Sequence, residues 1–142
     1  MRGVLTAIAL AAMSASCATR TEPSADRAAA CGSSSERVYF NDDSEDLPPD
    51  AQPILLHVVR SIDQCRAAGG ELDRVSIVAF PDRGETGDSA DQLADARAVK
   101  VKDAITVAGA PANKIEIIDF RARREDPDRV MRRHATIRVE QH

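Results

Sequence analysis

Apolar positions along this chain recur at two periods, and each period marks a different kind of element. Ala51, Leu55, Val58, Ile62 and Cys65 fall at steps of three and four, so they line one face of a helix. That helix opens at Pro48-Pro49-Asp50 and runs to about Ala68, with Pro53 tolerable in its first turn and Gly69-Gly70 as its stop. Ala94, Ala98, Val101, Ile105 and Ala108 repeat the pattern in a second helix, Ala90 to Ala108, ended by Gly109 and Pro111. Ser89 and Gln92 stand at capping-box spacing for its start. Between the helices, Val75-Ser76-Ile77-Val78-Ala79-Phe80 is short, apolar and β-branched, which predicts a strand from Arg74 to Phe80 ended by Pro81. Further strands are predicted over Arg37 to Phe40, near Lys114 to Phe120 and over His134 to Glu140. The order βαβαββ implies an α/β fold of two layers, with helices packed on one side of a mixed sheet.

The N-terminus follows different rules. Met1-Arg2, an apolar run from Val4 to Met13 and small residues at Ser14-Ala15-Ser16 form an export signal, too short to span a bilayer. The small residues before Cys17 resemble a lipobox, at which bacterial prolipoproteins are cleaved and the cysteine is acylated; ordinary cleavage after Ser16 or Ala18 is the alternative. Residues 1–16 are therefore read as signal peptide, and 17–35, rich in Ala, Ser and Thr, as a flexible tether. Residues 36–142 form the domain. Three cysteines leave an odd thiol in an oxidising compartment unless one is acylated. With Cys17 lipidated, Cys31 and Cys65 remain, and a helix returning antiparallel along the first strand brings them close enough for a disulfide. The alternative is a buried free Cys65 with Cys31 exposed.

Composition removes several functions. An apolar share of 43% over 142 residues suffices for one aliphatic core, and aromatics at 3% with no Trp supply neither a carbohydrate platform nor a base-stacking surface. The net charge of −4 argues against a nucleic-acid partner. Arg121, Arg123, Arg124, Arg129, Arg132 and Arg133 are interleaved with Glu125, Asp126 and Asp128, the pattern of a solvated loop. The acidic run Asn41 to Asp46 lacks the glycine and terminal glutamate of a calcium loop and also reads as solvated. His57, His134 and His142 have no evident nucleophile beside them, and Thr86 and Ser89 near Asp82 have no general base. The expectation is a binding protein without enzymatic activity, cofactor or metal.

Asp82 follows the central predicted strand, and Arg97 lies about two turns into the next helix. Ligands of α/β units collect where strands end and helices begin, so the two can meet at one pocket. A carboxylate there takes an ammonium, a guanidinium grips a carboxylate bidentately, and the pair suits a zwitterion.

From Val38 to Glu140 the chain resembles the OmpA-like peptidoglycan-binding domain, whose central pattern is G-H-T-D, a short loop, N-x-x-L-S-x-x-R-A, then V at a helical interval. Asp82, Leu93, Arg97 and Ala98 match it, and Val101 and Ile105 continue the helix. Val38-Tyr39-Phe40 with Ser44, Leu47 and Ala51 resembles the opening strand and helix entry, and Arg133, Ala135, Ile137 and Val139 the closing N-R-R-V-E-I strand. The chain departs from the pattern at Ala79-Phe80-Pro81, at Ala90 and at His134. The resemblance implies an OmpA-like βαβαββ sandwich that binds peptidoglycan, with Asp82 and Arg97 holding the amino and carboxyl groups of diaminopimelate and Arg133 as a further contact. It also implies a periplasmic location, free or lipid-anchored to the outer membrane, with other envelope proteins as possible partners. The departures define an alternative, a degenerate module that serves as a structural or interaction subunit of an envelope complex.

Overall fold

A computed structural model describes residues 25–82, 84–122 and 133–142. The signal segment and Cys17 lie outside the described residues. Chain order is α1 (Ala25–Ala30), β1 (Ser34–Tyr39), α2 (Ala51–Ala67), β2 (Leu72–Phe80), α3 (Asp88–Val107), β3 (Ile115–Ile117) and β4 (His134–Gln141). The sheet order is β1-β4-β2-β3; β4 runs antiparallel to both β1 and β2, and β3 parallel to β2. A parallel neighbour needs a crossover, and α3 supplies it.

The helical faces read from the sequence bury as expected. Leu55, Val58 and Ile62 of α2 and Ala98, Val101 and Ile105 of α3 share one cluster with Val38, Val75, Ile77, Ala79, Ala135, Ile137 and Val139 of the sheet. Alternate residues of β2 thus meet the helices, as the period of two requires. The intervening Val78 and Phe80 join a second cluster with Ala94 and Phe120, so the central strand is buried on both faces. Phe80 stacks on the buried His134 ring at 5.1 Å and meets Phe120 edge-on at 6.4 Å.

Three elements differ from expectation. Residues 25–30, within the stretch expected as a tether, are helical and lie against α2, and β1 begins at Ser34 rather than Arg37. The third strand is shorter than expected: the Ile118 N–H still donates to the Ile77 carbonyl, but the Asp119 carboxylate accepts the Arg121 N–H at 2.8 Å. That local bond turns the chain into a 3-10 turn over Phe120–Ala122.

Cys31 and Cys65 form a disulfide across 34 positions, tying the α1–β1 connection to the end of α2. Both helices stop with a Schellman pattern; in α2 the Gly69 and Gly70 N–H groups donate to the carbonyls of Arg66 and Cys65. Gly70 has a second reason to lack a side chain, because a Cβ there would stand 2.3 Å from the Cys31 Sγ. Beyond it, Glu71 and His142 exchange both backbone hydrogen bonds, at 2.7 and 3.0 Å, closing the sheet at the chain's end.

Candidate functional site

Sheet register brings the candidate residues together. Phe80, the last residue of β2, pairs with His134, the first of β4, so the residues just outside that pair, Asp82 and Arg133, become neighbours. Arg133 Nε lies 3.5 Å from Asp82 Oδ2, and its Nη1 pairs with Asp42 from the β1–α2 loop. The Arg133 carbonyl accepts the Phe40 N–H at 2.7 Å, fixing the segment against the end of β1. Arg133 holds a φ of 45° and Asp43 a φ of 48°, both in the left-handed region that costs a residue with a Cβ about 1–3 kcal/mol. Strained backbone of this kind persists only where surrounding contacts over-determine it.

Together the β1–α2 loop, the β2–α3 loop and the first turns of α3 enclose a cleft of about 430 Å³. Its walls include Asp42, Asp43, Asp82, Glu85, Ser89 and Leu93, and among its described lining residues no cation appears. The α3 N-terminus bordering it is built on Gly87, whose φ of 77° only glycine adopts freely. The Gly87 carbonyl accepts the N–H groups of Ala90 and Asp91. The expected Ser89 capping box does not form. The helix begins one residue ahead of Ser89, at Asp88, leaving that hydroxyl inside the first turn and on the cleft wall. Asp88 and Asp91 complement the helix dipole instead.

Arg97 lies behind the cleft, with its side chain 0% exposed. Glu85 fills its fork: Nη1 donates to Oε2 at 3.0 Å and Nη2 to Oε1 at 2.9 Å. Nε donates to the Ser44 carbonyl at 2.9 Å, Nη2 also to the Asn41 carbonyl at 3.4 Å, and the guanidinium sits 5.3 Å over the Phe40 ring. Glu85 Oε2 accepts a further bond, 2.7 Å, from the Asp82 N–H. A buried guanidinium needs this many acceptors, because its desolvation costs several kcal/mol that one partner alone does not offset.

The sequence-predicted residues are therefore divided. Asp82 faces the cleft with Arg133 beside it, whereas Arg97 presents no free fork to that cleft, since Glu85 occupies the position a bound carboxylate would take. Sequence reading missed Glu85 because a loop glutamate carries no periodic signal. It also treated the Asn41 to Asp46 run as a solvated loop. Two of its carbonyls instead receive Arg97 and one of its carboxylates receives Arg133, contacts that only the tertiary approach of α3 and β4 creates. Phe80 and Ala90, the departures from the family pattern, separate as well: Phe80 is buried away from the cleft, and Ala90 lines it.

Of the basic run, Arg121 bridges the 3-10 turn to α3, with Asp119 at 2.6 Å, Asp91 at 3.0 Å and Asp95 at 3.5 Å. The Arg121 side-chain hydrogen bond, then its backbone N–H, hold the Asp119 carboxyl below its ordinary range; the same contact with Asp119, followed by Asp91, raises Arg121. Arg123, Arg124, Arg129 and Arg132 lie outside the described residues. Among the described residues no helix is long and apolar enough to cross a membrane.

No protein-family model and no curated protein sequence matches the chain. Solved structures do. The OmpA-like domain of FopA1 from Francisella tularensis subsp. tularensis SCHU S4 is 16% identical, with a TM-score of 0.55 over 78% of this chain and 76% of that one. The peptidoglycan-associated lipoprotein from Burkholderia pseudomallei is 18% identical, with a TM-score of 0.56 over 73% and 89%. The periplasmic domain of Helicobacter pylori MotB is 14% identical, with a TM-score of 0.55 over 76% and 82%. With helices on a four-stranded mixed sheet and these structural neighbours, the chain has the OmpA-like fold.

Proposed function

We propose that this protein is an exported envelope module that binds peptidoglycan non-covalently and without turnover, anchored to the outer membrane through a lipid on Cys17. The observation that carries the reading is the placement of Asp82, an acceptor at the carboxyl end of the central strand, on the wall of the cleft between the β1–α2 and β2–α3 loops. Asp82 receives an ammonium of diaminopimelate in the stem peptide, Arg133 holds the Asp82 carboxylate in place, and Arg97 underlies the site through Glu85. One structural neighbour is the peptidoglycan-associated lipoprotein from Burkholderia pseudomallei, which supports the same class of ligand.

One observation favours the second reading, a structural or interaction subunit with no wall ligand: the Arg97 fork is already filled from within the chain. Cosedimentation of the purified exported protein with diaminopimelate-type sacculi separates the two. Asp82→Ala is expected to weaken binding by ~1–3 kcal/mol, about 5- to 150-fold, because the ligand ammonium loses its charged acceptor. Arg97→Ala is a poor test, since a buried residue of this kind reports folding as much as binding. Failure of the folded wild type to sediment would favour the structural subunit, and its capture of a defined envelope protein would identify the complex.

A further inference from the structure

Cys31, Cys65 and the chain end meet at the pole of the domain opposite the cleft, and their connection bears on how the module withstands tension, an inference that rests on the lipid-anchored, wall-binding reading above. A Cβ on Gly70 would stand 2.6 Å from both the Cys65 Sγ and the His142 carbonyl oxygen, so bridge, helix stop and chain end are packed together there. A module tied to a membrane by its N-terminus and to the wall at Asp82 is pulled between those two points. Along the backbone, the route from Cys31 to Asp82 passes through β1, the β1–α2 loop and α2 before it reaches β2. Among the described strands β1 is an edge strand, with β4 as its neighbour. The loop beyond it carries Asp42 and Asp43 of the cleft wall and the Asn41 and Ser44 carbonyls that receive Arg97. Tension on that route slides β1 along β4 and distorts the cleft.

We infer that the Cys31–Cys65 disulfide is a force-carrying link that takes tension from the tether past β1 and delivers it to the central strand. The bridge joins residues 34 positions apart, so residues 32–64 form a closed loop outside the shortest covalent route. From Cys65 that route leaves α2 at Ala67, turns at Gly69 and Gly70 and enters β2, whose far end leads into Asp82. β2 lies between β4 and β3 and is buried on both faces, so a pull along it is shared by two ladders and two apolar layers. The Gln141 Nε2 bond to the Gly32 carbonyl, 3.3 Å, and the β1–β4 ladder then position β1 without holding the tether. The cleft wall on the β1–α2 loop is left unloaded.

The test compares two attachment points that pull from the same pole. The mature protein, oxidised at Cys31 and Cys65, is held by a DNA handle fixed either to a tag that replaces Cys17 or to one placed after His142, and is brought against immobilised diaminopimelate-type sacculi under constant force. The carboxyl-terminal handle pulls through β4, a route that does not include the bridge. The ratio of amino-terminal to carboxyl-terminal bond lifetimes is expected to fall about tenfold or more in Cys31→Ser/Cys65→Ser relative to wild type. A general loss of stability shortens both lifetimes and leaves their ratio unchanged. The same ratio in variant and wild type therefore overturns the inference and leaves the wall-binding reading standing. No specific attachment of the folded wild type by either handle overturns both. Without load, the variant should cosediment with sacculi as the wild type does, at a temperature where circular dichroism shows it folded; a loss of binding there would mean that the bridge shapes the cleft and would remove tension as its role.

Discussion

Glu85→Ala should be among the most damaging single substitutions at the site, although residue 85 stands in a loop. In the folded protein Glu85 accepts two charge-assisted bonds from Arg97 and one from the Asp82 N–H, and its side chain is only 10% exposed. Truncation leaves a buried guanidinium with the Ser44 and Asn41 carbonyls and the Phe40 ring as its remaining compensation. Breaking a buried pair from one side typically costs ~3–5 kcal/mol, and the surviving carbonyls place this case at the lower end, about 3–4 kcal/mol. For a domain of this size that corresponds to a fall in Tm of about 12–16 °C, at roughly 4 °C per kcal/mol. Urea and thermal unfolding followed by circular dichroism measure it, with Arg97→Met and the double variant completing a cycle. The double variant should recover about 2–3 kcal/mol of the summed losses, because an apolar side chain in place of the ion removes the unpaired charge. The Glu85→Ala loss should also persist from about 0.05 to 1 M salt, since a buried pair is little screened. A loss under about 1 kcal/mol, or one that salt abolishes, would show that the pair behaves as an exposed ion pair and would refute the reasoning.

The disulfide and the Asp119 contact make separate predictions. Cys31→Ser should lower stability by ~3–4 kcal/mol on the chain-entropy account of a bridge across 34 positions, and reductant should have the same effect on wild type but none on the variant. Equal denaturant midpoints for oxidised and reduced protein would contradict it. Asp119 is held below its ordinary value of 3.8 in the folded state by Arg121, so its contribution is fully present above that value and disappears as the pH falls through the lower folded value. The stability difference between wild type and Asp119→Asn should therefore be constant above about pH 5 and shrink on acidification below the ordinary value. Because Asp119 is exposed, added salt should reduce that difference, and a difference independent of both pH and salt would count against the contact.

Local rules read much of this protein without coordinates, and they lost force where contacts became long-range. The faces of α2 and α3, the buried central strand and the helix stops were legible because each follows from spacing within a few residues of itself. The helical stretch at Ala25–Ala30 was not, because six alanine-rich residues carry too few apolar positions to show a period, and it is their packing on α2 that places them. The Ser89 cap was misplaced because capping-box spacing does not reveal that Gly87, at a φ of 77°, starts the helix earlier.

The candidate site divides in the same way. The sequence alone determined that Asp82 ends up just past the carboxyl end of β2 and that Arg97 lies in the early turns of α3, since strand end and helix start are local properties. Only the tertiary structure decided what each side chain meets there. The register of β4 against β2 set Arg133 beside Asp82, and the approach of two loops to α3 delivered Glu85, Ser44 and Asn41 to Arg97. A charge taken out of water must be matched by whatever the fold brings within hydrogen-bond reach, and no local pattern in the chain encodes which groups those are.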